Sequence, residues 1–160
     1  MCSYCGCHDI GPIADLADEH VRIQNLMGEI RRCAHRGDVG RATVMLGQLR
    51  ELLDRHDAIE ELSLYPAMAR HEEFETKVGA MFDEHDELDH VMHRALSAAE
   101  AGPAQSIDWA PVLAAFDTLM EHIQAEENGL FPAAAITLDV SDWDDAELVR
   151  RTYRDGRRSP

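Results

Sequence analysis

The sequence predicts an all-α protein: an up-and-down antiparallel four-helix bundle with a short extra helix at its C-terminal end. Three observations carry that prediction. Apolar residues recur every three or four positions along four stretches of helical length. Nowhere do β-branched and aromatic residues alternate with polar ones over a useful length. The connections between the stretches are short, which makes consecutive helices antiparallel neighbours.

The first stripe comprises Ile13, Leu16, His20, Ile23, Met27, Ile30 and Ala34. Gly37-Asp38 interrupts the pattern, and Asp38 can cap the second helix. A second stripe runs through Ala42, Met45, Leu49, Leu52, His56, Glu60, Leu64 and Ala67, with Pro66 near its end. The third, Val78, Met81, His85, Leu88, Met92, Leu96 and Ala99, is ended by Gly102-Pro103. Ala115, Leu119, His122, Glu126, Leu130 and Ala133 form the fourth. SDWDDAELVRRTY, from Ser141, has a capped start and predicts the short terminal helix, and residues 154–160 read as a frayed tail. The chain thus divides into a cysteine-rich N-terminal segment (1–10), the bundle (11–137) and a C-terminal helix with its tail (138–160).

Composition narrows the function classes. With 160 residues, 45% of them hydrophobic, the chain can bury one real core. Its formal charge of −16 repels nucleic acid and anionic membrane surfaces. The opening MCSYCGCHDIGP lacks the basic-then-apolar pattern of a secretory signal, and no stretch approaches a membrane span. Four cysteines, three of them crowded at positions 2, 5 and 7, do not make a disulfide framework for a domain of this size. The expected setting is the cytoplasm. Glycine-rich phosphate loops, nucleophile elbows and dinucleotide fingerprints are absent from the sequence.

What the sequence does contain is a repeat. HDAIEELSLYPA (56–67) returns as HIQAEENGLFPA (122–133), keeping the His, both acids, the Leu, the Pro and the last Ala, with an aromatic residue before each Pro. Asp18-Glu19-His20 likewise returns as Asp83-Glu84-His85. Each half therefore reads as a helical hairpin with a His on its first helix and His-x-x-x-Glu on its second. Residues four apart on a helix differ by about 40° in direction and about 6 Å along the axis, so their side chains converge. His56 with Glu60, and His122 with Glu126, converge on the apolar stripe that faces the bundle interior.

A lone interior His is usually a hydrogen-bonded core residue. Six donors in duplicate order on apolar faces, His20, His56, Glu60, His85, His122 and Glu126, are a different matter. Unpaired buried carboxylates are unfavourable, and four imidazoles with two carboxylates cannot satisfy one another without large pKa shifts. A pair of metal ions resolves the conflict. Imidazole and carboxylate donors suit iron, manganese or zinc, and bundle cores are a known place to build two-metal sites. Two histidines per ion with both glutamates bridging give four protein donors each. An oxo or hydroxo bridge adds a fifth and leaves at least one position open.

Asp89, one turn after His85, is a candidate further ligand. Asp57, Glu61 and Glu127 are rotated away from the shared face and are expected behind the ligands or at the surface. Leu64 and Leu130 should keep the pocket dry. His71 with Glu75 repeats the spacing inside a polar run that reads as a solvated helix start, His90 and His93 fall off the third stripe, and His35 abuts the Gly37 turn. Cys2, Cys5, Cys7 and His8 form C-x-x-C-x-C-H, a compact candidate for a second metal or a redox dithiol that could hand electrons to the bundle site. The competing reading is a flexible thiol-bearing tail.

In these residues the chain resembles the hemerythrin-like, or HHE cation-binding, family, whose pattern is H, HxxxE, H, HxxxE over four helices. The resemblance covers roughly Ile13 to Ala135, and the two HxxxEExxL[YF]P segments make it specific. It implies two oxygen-bridged non-haem irons that interact with dioxygen, peroxide or nitric oxide. His20 and His56 would serve one iron and His85 and His122 the other, bridged by Glu60 and Glu126. Oxygen-carrying hemerythrins place a second His one turn after the third-helix His, where this sequence has Asp89. That departure argues against simple reversible oxygen carriage and for peroxide decomposition, nitric-oxide handling or sensing. A ferritin-like di-iron site would ask for two Glu-x-x-His motifs, and only Glu87-x-x-His90 has that form. The implied partners are a small diatomic or peroxide ligand and an electron donor; a module that senses or carries iron or oxygen without turnover is the alternative.

Overall fold

The computed structural model describes residues 10–102 and 107–154, and these are helical apart from short connections. Helix α1 spans Gly11–His35. Helix α2 runs from Val39–Ile59 through a widened, π-helical turn at Glu60–Leu64 into Tyr65–Ala69. Helix α3 is Glu72–Ala101. Helix α4 runs from Trp109–Ala125 through a second π turn at Glu126–Leu130 into Phe131–Thr137, and α5 is Val140–Arg154. The cluster of Cys2, Cys5, Cys7 and His8 lies outside the described residues.

The helix ends are chemically marked. Gly37 takes a φ of 74°, the left-handed region that strains a side chain. Asp38 caps α2 by accepting from the Arg41 N–H at 3.3 Å, and Asp108 caps α4 by accepting from Ala110 at 3.1 Å. At α5 the cap differs from the expected Ser141: Asp139 accepts from the N–H groups of Ser141 at 2.8 Å and Asp142 at 3.2 Å.

Two apolar clusters fill the bundle, one on each side of a polar layer. Along α1 the chain meets Ile13 and Leu16, then His20, then Ile23, Met27 and Ile30 of the other cluster. Along α2 the order reverses, with Leu46 to Leu53 first, His56 and Glu60 next, and Leu64 and Met68 last. Helix α3 repeats the order of α1, and α4 that of α2. That alternation is the up-and-down antiparallel arrangement. Neighbours pack in a ring, α1 on α2, α2 on α3, α3 on α4 and α4 back on α1. Helix α5 lies across α1 and α2, including the π turn of α2, and is tied down by Arg150 to Asp15 and by Arg70 to Asp142. The buried stripe drifts by one residue from the expected one at Leu46, Ala95, Phe116 and Ala134, because a 3.6-residue period does not return to the same face every heptad.

The two π turns replace the unbroken α-helices that the periodicity predicts. Pro66 and Pro132 lie two residues beyond them. A proline has no N–H to offer, and its ring collides with the carbonyl four residues back. Widening the preceding turn relieves that collision. The carbonyl just before each widened turn finds a side-chain donor: Ser63 Oγ donates to Ile59 O, and Lys77 Nζ to Ala125 O at 3.2 Å. Gly129 stands in the place of Ser63 in the second copy, and a Cβ there would lie 2.5 Å from Lys77 Nζ, so the glycine makes room for the lysine.

Candidate metal centre

The polar layer contains all six expected donors, and each is buried, from 0% exposure at His20, Glu60 and Glu126 to 5% at His85. Their Nε2 and carboxylate atoms face one another. His20 Nε2 is 3.2 Å from Glu126 Oε2, His56 Nε2 3.4 Å from Glu60 Oε1, and His85 Nε2 3.6 Å from Glu60 Oε2. His122 Nε2 lies 3.5 Å from Glu126 Oε2. Two overlapping sets result, His20 with His56, Glu60 and Glu126, and Glu60 with His85 and His122, each with its ligand atoms within 4.8 Å of one another. Bonds of about 2.0–2.2 Å to a single ion separate its donors by about 3–4.4 Å. The sets are close to the size one ion needs, and Glu60 is common to both.

Hydrogen bonding accounts for only part of this arrangement. His20 Nε2, Glu60 Oε1 and Glu126 Oε2 are buried without a hydrogen-bond partner. His20 Nε2 and Glu126 Oε2 approach closely, yet not in bonding geometry. Buried polar atoms left in this way are rare and unfavourable, which fits groups built to hold metal.

Each histidine is also gripped from behind. His56 Nδ1 bonds Glu19 at 3.1 Å, His122 Nδ1 bonds Glu84 at 2.7 Å, His85 Nδ1 bonds Glu61 at 2.9 Å and His20 Nδ1 bonds Glu127 at 3.1 Å. A carboxylate at Nδ1 makes that nitrogen the donor and leaves the Nε2 lone pair free for a metal. The pattern is crossed: Glu19 and Glu84 serve a histidine of their own hairpin, whereas Glu61 and Glu127 reach to the other. Sequence reasoning saw the doubled Asp-Glu-His but assigned nothing to Glu19 and Glu84; the recurrence of the acid before each His was the available signal.

The copies differ in two places at the layer. Tyr65 stands where the second copy has Phe131. The Tyr65 hydroxyl donates to Glu126 Oε1 at 2.5 Å and lies 3.2 Å from His122 Nε2, while Phe131 stacks on His20 with centroids 5.7 Å apart. Asp57 stands where the second copy has Ile123. Its Oδ1 is buried without a hydrogen-bond partner, 3.9 Å from His85 Nε2.

A family model, the hemerythrin HHE cation binding domain, matches residues 11–134. The chain belongs to the hemerythrin HHE family. Within this HHE domain lie all six donors and the four glutamates behind them, whereas α5 falls beyond the matched residues. Neither curated proteins nor solved structures gave a match. Among the described residues of the HHE chain no helix is long and apolar enough to cross a membrane.

Not every candidate joins the HHE centre. Asp89, the possible further ligand, is 52% exposed and its carboxylate pairs with Arg50 at 2.6 Å. One α-helical turn beyond His85 it has moved along the axis and faces α2 rather than the layer. His35, His90 and His93 are exposed, and His71 sits at the start of α3. Tyr65 escaped the sequence reading because five α-helical residues turn it about 140° away from Glu60. The π turn brings it round.

The layer is electrostatically uneven. Burial pulls the His56 imidazole down to about 4. Burial acts the same way on His122, but the carboxylate of Glu126 beside it and its hydrogen bond to Glu84 win and push it up to about 9. Burial and the neighbouring Glu126 raise Glu60, whereas the imidazoles of His122 and His20 beside Glu126 overcome burial and hold it well down. Burial lifts Asp57 to about 7. Two clefts reach the His85 side of the HHE centre. One, of about 260 Å³, is mainly apolar, with Leu88, Val91, Ala115 and Leu119 beside His85 and His122. The other, of about 370 Å³, is acidic, with Asp54, Asp57, Glu61, Asp86 and Asp89 beside His85.

Proposed function

We propose that the chain holds two iron ions in this layer and binds and turns over a small oxygen species, namely dioxygen, hydrogen peroxide or nitric oxide, at an open coordination position. The observation that carries this reading is the set of buried, unpartnered donor atoms, His20 Nε2, Glu60 Oε1 and Glu126 Oε2, in a domain whose family is described as cation binding. His20 and His56 would hold one ion and His85 and His122 the other, with Glu60 and Glu126 between them. The same donors accept zinc or manganese. Composition supports a cytoplasmic setting.

Bound iron supplies an open position and electron transfer with small oxygen ligands. The chain's own groups do the rest. Glu19, Glu61, Glu84 and Glu127 keep each imidazole in the tautomer that presents Nε2. The apolar clusters on either side exclude water from the layer. Tyr65 holds its hydroxyl proton on Glu126 Oε1 and so orients that carboxylate. The apolar cleft beside His85 and His122 suits the entry of a small neutral molecule.

The test is iron content with absorption spectra taken with and without air. Two irons per chain and an oxo-bridge charge-transfer band support the reading; a chain that retains no iron after gel filtration overturns it. Peroxide consumption or nitric-oxide reduction faster than free iron establishes turnover. Its absence favours a sensor or carrier, and one observation supports that second reading: α5, outside the family match, packs on the π turn that carries Glu60 and is placed to relay the state of the centre.

A further inference from the structure

We propose that Lys77 is a positioning residue for Glu126: its ammonium, donating to the carbonyl of Ala125, fixes the π turn that aims this carboxylate into the layer. The role rests on the two-ion reading above, and Lys77 itself is not a ligand. Lys77 is the only lysine of the chain and lies half-buried on α3. Its Nζ is 3.2 Å from the oxygen of Ala125, the residue immediately before Glu126. Three groups converge on Glu126: His20 Nε2 at 3.2 Å, His122 Nε2 at 3.5 Å and the Tyr65 hydroxyl at 2.5 Å. A carboxylate shared among so many partners tolerates little displacement of the backbone that carries it. A bond from an ammonium to a carbonyl is charge-assisted and suits the task.

The first copy shows what the lysine replaces. There Ser63 Oγ donates to Ile59 O, the carbonyl immediately before Glu60, from within the same turn. The residue that matches Ser63 in the second copy is Gly129, which has no side chain to offer, and a Cβ on it would stand 2.5 Å from Lys77 Nζ. With His20 aligned on His85, the residue that matches Lys77 is Pro12, whose side chain has no donor. Each copy thus supplies one side-chain donor to the same carbonyl, a hydroxyl from four residues on in the first and an ammonium from the neighbouring helix in the second. The lysine also does what the serine cannot: it straps the turn of Glu126 to α3, the helix that carries His85.

The experiment uses the full chain and its K77M and K77M/G129S variants, titrated with ferrous iron without air in competition with a chelator. K77M should bind iron about tenfold less tightly, as happens when a group that supports a ligand from behind is lost. K77M/G129S should recover most of that loss, because the introduced hydroxyl can donate to Ala125 O as Ser63 does to Ile59 O. Its Cβ has room once Nζ is gone, since Lys77 Cε is 4.0 Å away. Wild-type affinity in K77M overturns the proposal, and so does a loss that the serine fails to restore, which would assign the effect to charge or packing. A second readout needs no variant. If Lys77 and bound iron both fix the turn, iron must in return hold the ammonium on its carbonyl. Acetylation by an N-hydroxysuccinimide ester, followed by mass spectrometry on the Lys77 peptide, should therefore slow several-fold on iron loading, and an unchanged rate overturns the proposal. A wild-type chain that holds only one ion sinks the two-ion reading alone, because the affinity ratio for that ion still tests Lys77.

Discussion

Glu60→Gln should change stability in opposite directions with and without metal. Glu60 is fully buried, its Oε1 has no hydrogen-bond partner, and burial together with Glu126 raises its pKa above the ordinary 4.5. In the metal-free protein the fold must therefore keep a proton that the unfolded chain releases. The stability of such a group is fully present below pH 4.5 and is lost as the pH rises through the folded value. At pH 7 the loss is bounded by the distance from 4.5, which at about 1.36 kcal/mol per pH unit is roughly 3 kcal/mol. Glutamine is neutral throughout, similar in size and able to donate to Glu126. Metal-free Glu60→Gln should thus gain up to that amount at pH 7, several degrees at about 2–4 °C per kcal/mol, and the gain should vanish near pH 4. Metal reverses the sign, since an amide is a poor bridge. Ions at about a thousandfold their Kd stabilise by about 4 kcal/mol, and the variant forfeits much of it. Thermal melts at the two pH values, with chelator and with iron, read both effects. A metal-free variant that melts below wild type at pH 7, or a metal-induced rise equal to that of wild type, would refute the reasoning.

Three further outcomes are expected. His56→Ala and Glu126→Ala should each release at least one ion and lower the melting point of the loaded protein, while His71→Ala does neither; equal metal content in all three counts against the centre. Glu84→Gln, which leaves His122 Nδ1 without its carboxylate, should weaken metal binding about 10- to 100-fold in competition with a chelator, and wild-type affinity would show that the bond is incidental. Glu147 is held down to about 2, chiefly by its hydrogen bond to Arg150; a lowered carboxyl contributes above pH 4.5 and loses that contribution as the pH falls toward 2. Trp143 fluorescence in a Trp109→Phe background should then report α5 loosening over that acid range, and Glu147→Gln, which lacks the charge at every pH, should abolish this step.

Periodicity made the fold legible because every helix buries one stripe, and the stripes alone place His20, His56, Glu60, His85, His122 and Glu126 in one layer. What periodicity cannot carry is a change of period. The π turns shift the phase after Glu60 and Glu126, which is how Tyr65 enters the layer from a position that an α-helix would turn outward. Residues between the stripes were equally hard to place. Asp57 and Asp89 both flank the predicted face, and only the neighbours on α2 and α3 decide that one meets His85 while the other meets Arg50. Glu19 and Glu84 lie beside a stripe rather than on it, so their reach to a histidine of the next helix depends on helix packing and not on spacing.

The crossed grip of Glu61 on His85 and of Glu127 on His20 means that neither half of the chain holds its histidines with its own glutamates alone. A solitary hairpin would complete such a cluster only by meeting a twin, at a rate set by its concentration. Joining twins in a single polypeptide removes that dependence and lets each diverge alone. The divergence is visible where tyrosine in one half answers to phenylalanine in the other, aspartate to isoleucine, and a serine to a glycine with a lysine from the neighbouring helix.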